Sequence, residues 1–151
     1  MEEVKYIPGD LVQYKQIPNK VCTIKGIISE LDKPKIIEKK APIYEAIIGD
    51  NEGLVYLNDD DILGIPITSE ILEKNGWKRN GGQYSFTYKP YAGDKVELIG
   101  FFIEMFKDEH DMLKYRYFQI FLENKVICGC FYVHQLQHLL FGLGINYEME
   151  V

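Results

Sequence analysis

The sequence predicts an α+β protein in two lobes, a strand-rich one over residues 1–66 and an α+β one over residues 67–151. Three observations predict it. Hydrophobic residues make up 46% and aromatics 13% of the 151 positions, enough for a sizeable core and a bias toward half-buried strands. Alternation with a period of two is plain in Tyr84-Ser85-Phe86-Thr87-Tyr88, which puts every second ring on one face. Helix start and stop signals bracket two stretches, one just after residue 66 and one near the end of the chain.

In the first lobe Pro8-Gly9-Asp10 is a turn and Leu11–Tyr14 a strand. Ile17-Pro18-Asn19-Lys20 reads as a second turn. Val21–Ile28 is β-rich, with Gly26 at a bend or bulge. A polar loop carrying Lys33, Lys35, Lys39 and Lys40 follows, and Pro34 and Pro42 make it loop-like. Tyr44–Ile48 and Leu54–Leu57 flank Gly49-Asp50-Asn51-Glu52-Gly53, a hairpin signal. A Gly-Asp opening followed by four or five short strands resembles a small SH3-like β-barrel. Such barrels bind peptides, nucleic acid or nothing, so the resemblance implies a fold and no function.

Gly64-Ile65-Pro66 marks the boundary. Thr68 is a helix N-cap, Ile67 and Leu72 form a hydrophobic staple, and Asn75-Gly76 stops a helix over Ser69–Lys74. Strands follow at Tyr84–Tyr88, Lys95–Met105, Leu113–Leu122 and Val126–Cys130, with polar turns at Lys107–Asp111 and Glu123–Lys125. A second helix runs from Phe131 to Leu140 and ends at Gly142 and Gly144; Ile145–Val151 returns as a strand. This order describes an antiparallel sheet covered on one face by helix. Ile62, Ile65 and Ile67 flank the boundary, so the lobes are expected to be joined without a floppy linker.

Two stretches of the second lobe carry a resemblance: Gly64-Ile65-Pro66-Ile67-Thr68-Ser69-Glu70-Ile71-Leu72-Glu73-Lys74-Asn75-Gly76-Trp77 and Tyr132-Val133-His134-Gln135-Leu136-Gln137-His138-Leu139-Leu140-Phe141. Together they resemble a group of small proteins of prophages and mobile elements of gut bacteria, over about half of the chain. The resemblance implies a phage or mobile-element origin and no activity. The sequence departs from that group at Ser69, where Pro is common, and at His138, where Asn is common.

The net charge of −6 disfavours duplex nucleic acid and anionic membranes, both of which call for a basic face. The start, Met1-Glu2-Glu3-Val4-Lys5, lacks the basic and apolar segments of a signal peptide, and no apolar run is long enough to span a bilayer. Three cysteines, Cys22, Cys128 and Cys130, do not make a disulfide framework, so free thiols and a cytoplasmic location are expected.

Candidate chemistry gathers near the C-terminus. Cys128 and Cys130 share one face of a strand, and His134 and His138 share one side of a helix. Two thiolates and two imidazoles are a possible tetrahedral zinc set, although C-x-C-x3-H-x3-H is not finger spacing. The His-Gln-Leu-Gln-His run places Gln135 where a metalloprotease needs a carboxylate, and an amide cannot act as that base. Asp59-Asp60-Asp61 reads as a solvated turn rather than a cation site. No nucleophile elbow, P-loop or dinucleotide fingerprint is present. On the second helix Val133, Leu136, Leu139, Leu140 and Leu143 form a core arc, while His134, Gln137, His138 and Phe141 fall on another side.

These residues describe a non-enzymatic binding or accessory protein of a prophage or mobile element, with no cofactor and a protein partner. Its candidate contacts are His134, His138 and Phe141, with Lys33, Lys35, Lys39 and Lys40 as a basic loop. Three alternatives are a nucleic-acid-binding module, a counter-defence factor that binds a host protein or signalling nucleotide, and a zinc-binding protein on Cys128, Cys130, His134 and His138.

Overall fold

A computed structural model describes residues 4–28, 41–50, 53–89, 93–108 and 111–151, with side chains for all of these but 105–108 and 111–115. The fold is α+β: two five-stranded antiparallel sheets and two α-helices, divided between one unit over Met1–Ile65 and another over Pro66–Val151.

The first unit contains β1 (Leu11–Tyr14), β2 (Ile17–Ile28), β3 (Ile43–Ile48), β4 (Leu54–Asn58) and β5 (Ile62–Gly64), in the order β4-β3-β2-β1-β5. Alternation selects its core. Cys22 and Ile24 on β2, Tyr44, Ala46 and Ile48 on β3 and Leu57 on β4 all bury, while Lys25 and Ile27 of β2 stay exposed. Gly26 lies at an irregularity between Ile24 and Gly26, the expected bulge. Ile17–Lys20 is not a turn. The chain reverses over Lys15-Gln16, Ile17 pairs with Tyr14, and β2 runs on through Pro18. Proline is tolerated there because Pro18 is exposed, ahead of the Val21–Gln13 pairing.

Two polar anchors set the loops of this unit. The Asp10 carboxylate is buried and its Oδ2 accepts from the Ile7 amide at 2.9 Å. The Tyr44 hydroxyl accepts from the Lys5 amide at 3.1 Å and donates to Asp59 Oδ1 at 3.0 Å. Asp59–Asp61 forms a single 3-10 turn, and Asp61 Oδ2 reaches back to the Asn58 amide at 3.0 Å. Two of the three consecutive aspartates are therefore structural.

The second unit runs α1 (Ser69–Lys74), β6 (Lys78–Asn80), β7 (Gln83–Tyr88), β8 (Val96–Asp108), β9 (Asp111–Leu122), β10 (Lys125–Cys130) and α2 (Val133–Gly142), with its sheet ordered β10-β9-β8-β7-β6. Thr68 caps α1 by accepting from the Ile71 amide at 3.2 Å, and Ile67 and Leu72 are both buried, as the staple requires. Both helices end in the same way. Trp77 donates to the Leu72 carbonyl at 3.0 Å and Gly76 to Glu73 at 3.3 Å; Ile145 donates to Leu140 at 2.9 Å and Gly144 to Phe141 at 3.0 Å. Gly76 and Gly144 take φ values of 91° and 72°, the left-handed residue that this double-bonded stop needs.

One sheet face carries Tyr84, Leu98, Phe118 and Ile120, all buried. Trp77 packs edge-on to Phe118 at 5.2 Å and tilted against Phe86 at 5.3 Å. Gly100 belongs to this face between Tyr84 and Ile120, and a Cβ there would meet the Phe118 ring at 2.0 Å. The β9–β10 hairpin turns on Glu123 and Asn124 alone, at φ 51° and 65°, so Lys125 pairs with Leu122 as the first residue of β10.

Residues 145–151 do not form a strand. Side-chain amides hold them instead. Asn75 donates from Nδ2 to the Glu150 carbonyl at 2.7 Å and accepts at Oδ1 from the Glu150 amide at 2.8 Å. Gln137 Nε2 donates to the Tyr147 carbonyl at 3.1 Å. Among the described residues no helix is long and apolar enough to cross a membrane.

Candidate functional site

The sequence places its candidate chemistry on β10, α2 and the lysine-rich loop. Lys33, Lys35, Lys39 and Lys40 lie outside the described residues. The rest of the site is built by the chain running from β10 through Phe131 and Tyr132 into α2.

The start of α2 explains the amide at position 135. Gln135 Oε1 accepts from the Phe131 amide at 2.7 Å and from the Tyr132 amide at 3.1 Å. It is the reach-back half of a capping box, and it satisfies backbone donors that the helix cannot. The Ile67 amide meanwhile donates to the Phe131 carbonyl at 3.3 Å, and Pro66 bridges to Tyr132. The link between β10 and α2 is thus fixed on both sides.

Along α2, Val133, Leu136 and Leu140 are buried as expected, while Leu139 and Leu143 are half-buried. Two residues assigned to the outer side are inside. His134 is only 8% exposed and Gln137 is fully buried. The buried face is therefore rotated from the expected leucine arc toward Gln137 and His134, which leaves Leu139 and Leu143 at its margin. Gln137 is inside because the tail over residues 145–151 supplies a carbonyl for its amide.

His134, His138 and Phe141 keep the shared side that their spacing predicts, and this stripe climbs out of the protein. The His134 ring stacks on Tyr132 at 5.8 Å and meets His138 edge-on at 5.7 Å. His138 is half-buried and Phe141 is 58% exposed, its ring edge-on to Tyr147 at 5.2 Å. Phe131 and Tyr132, at 41% and 40% exposure, extend the aromatic surface at the other end of the helix, and Phe131 packs against Tyr117 at 5.5 Å. Sequence reading missed Phe131 and Tyr132, because both were assigned to the first turn of the second helix, which in fact starts at Val133. The signal was present: two large rings immediately before a helix whose third residue is Gln.

Cys128 and Cys130 do share a face, with sulfurs 3.5 Å apart. Cys130 is buried, and burial with Cys128 beside it pushes its thiol well above the usual range. The tetrahedral zinc set is not assembled: among the described residues no three His, Cys, Asp or Glu side chains gather where a metal ion could be held. The thiols form one pair on β10 and the imidazoles another on α2.

Comparison with protein-family models, curated proteins and solved structures finds no match to this chain.

Proposed function

We propose that this chain is a non-enzymatic binding protein of a prophage or mobile element, that it acts in the cytoplasm, and that it meets a protein partner through the aromatic surface at the two ends of α2. The carrying observation is Phe141 at 58% exposure on the stripe it shares with His134 and His138. Large rings left in water by a helix that buries Leu136 and Leu140 are the residue type that anchors protein interfaces. The net charge of −6 favours a protein over a nucleic-acid partner.

For the first unit, the strand order β5-β1-β2-β3-β4 with a 3-10 turn between β4 and β5 supports a small SH3-like barrel, which would serve as a scaffold or a second contact surface.

The experiment is site-specific photo-crosslinking in the bacterial host from position 141, with position 104, an exposed site on β8, as control. One protein adduct formed from 141 and not from 104, and resistant to nuclease, is the expected result. Nuclease-sensitive adducts would instead favour a nucleic-acid module, and equal labelling from both positions would end the reading.

A further inference from the structure

We infer that Cys128 and Cys130 form a redox-active dithiol, a site of reversible disulfide exchange with low-molecular-weight disulfides. Their sulfurs, 3.5 Å apart, are already in van der Waals contact and on the same side of β10. A disulfide bond is about 2.0 Å long, so closure needs the two to approach by about 1.5 Å.

Three features of β10 permit that movement. Among the described residues the strand is at the sheet edge, with β9 as its one strand neighbour, so its other edge is not held by a ladder. Its register is already broken between Val126 and Cys128. The intervening residue is Gly129, the residue type with the widest backbone freedom.

Accessibility sets the order of events. Cys128 is half-buried and Cys130 fully buried. The Cys128 thiolate therefore attacks one sulfur of the small disulfide, forming a mixed disulfide and releasing one small thiolate, which takes up a proton. Cys130, as thiolate, then attacks the Cys128 sulfur, the protein disulfide forms, and the second small thiol departs carrying the proton that Cys130 lost. In sum the two protein thiols are oxidised by two electrons and one small disulfide is reduced to two thiols. The buried Cys130 gives up its proton reluctantly, so the second step speeds up as pH rises.

The test treats the folded full chain with oxidised glutathione and follows intact mass, with circular dichroism confirming that each variant is folded. Wild type is expected to lose two hydrogens and retain no glutathione, and dithiothreitol should restore the starting mass. Cys130→Ser should stop with one glutathione on Cys128. Cys128→Ser should remain unmodified, because Cys130 is enclosed. Cys22→Ser, in the other unit, should behave as wild type. The inference is overturned if wild type accumulates and keeps a glutathione on Cys128, or if both thiols stay free in the folded protein at every pH while reacting when it is unfolded.

Discussion

At the scale of single residues, what the sequence hides is the demand made by a neighbour far along the chain. Gly100 sits in a strand pattern where any small residue would fit by local rules. Only the pairing of β8 with β9 reveals that the Phe118 ring occupies the space of its missing Cβ. Tyr44 is a similar case. As one apolar letter in a β-rich run it reads as core, and it is fully buried. Its hydroxyl, however, closes a link from the Lys5 amide to the Asp59 carboxylate. Burial, reinforced by that carboxylate, pushes its phenol up to about 12 from 10.0. A raised folded-state value means that the native protein holds the proton more tightly than the unfolded chain does. The associated stability is therefore complete below pH 10 and is lost as pH rises from there through 12. Tyr44→Phe should cost about 0.5–1.5 kcal/mol near neutrality, the usual net worth of a hydrogen bond. The gap in stability between wild type and variant should narrow across that alkaline interval. Paired denaturant titrations over pH would measure it, and a constant gap would show that the hydroxyl does not titrate with folding.

Single elements were easier to read where their signals are local. The cap at Thr68, the stop at Asn75-Gly76 and the bulge at Gly26 each depend on residues a few positions apart, and each is found where expected. β6 was missed because Lys78-Arg79-Asn80 is polar and exposed throughout, with no alternation to betray it. The clue lay next to it, in an Asn-Gly-Gly turn leading directly into β7. The last seven residues were misread for the opposite reason. Their polarity alternates, but they find side-chain amides rather than a sheet edge. For α2 the corrected burial reverses one expectation. Leu136→Ala should cost about 2–5 kcal/mol. His134→Ala should cost more than His138→Ala, since His134 lies inside and His138 is half-buried. Gln135→Ala should cost about 1 kcal/mol through the lost cap, and Gln135→Glu should restore it. Thermal melts of the five variants beside wild type would check the order. Equal losses at both histidines would mean that the stripe does not climb as described.

For the whole molecule, the two units divide between residues 65 and 66, inside Gly64-Ile65-Pro66 and one position before the expected end of the first lobe at residue 66. Composition and periodicity could supply that much because each unit holds its own buried set: Val12, Ile24, Tyr44 and Leu57 in the first, Leu72, Trp77, Phe118 and Leu136 in the second. The proposed contact surface was not legible on the same basis. A catalytic site announces itself through spacing, whereas an interface of exposed rings depends on which side of a helix the core claims. Trp77 is the sole tryptophan and buried in the second unit, so its fluorescence reports that unit alone. The apolar residues Ile62, Ile65 and Ile67 that flank the boundary in the sequence lead us to expect one cooperative transition. Tryptophan fluorescence and far-ultraviolet circular dichroism should superimpose during urea unfolding. Two resolved midpoints would show the units unfolding separately.

The way the final residues are held also bears on inheritance. Asn75 and Gln137 recognise main-chain atoms of Glu150 and Tyr147, not their side chains. Apart from Tyr147, whose ring meets Phe141, side chains of the tail can therefore drift without breaking these bonds, while replacement of either amide strands a backbone group. Descendants of a common ancestor should thus keep the two amides over tails that no longer resemble one another, and selection would act on the clasp rather than on what it holds.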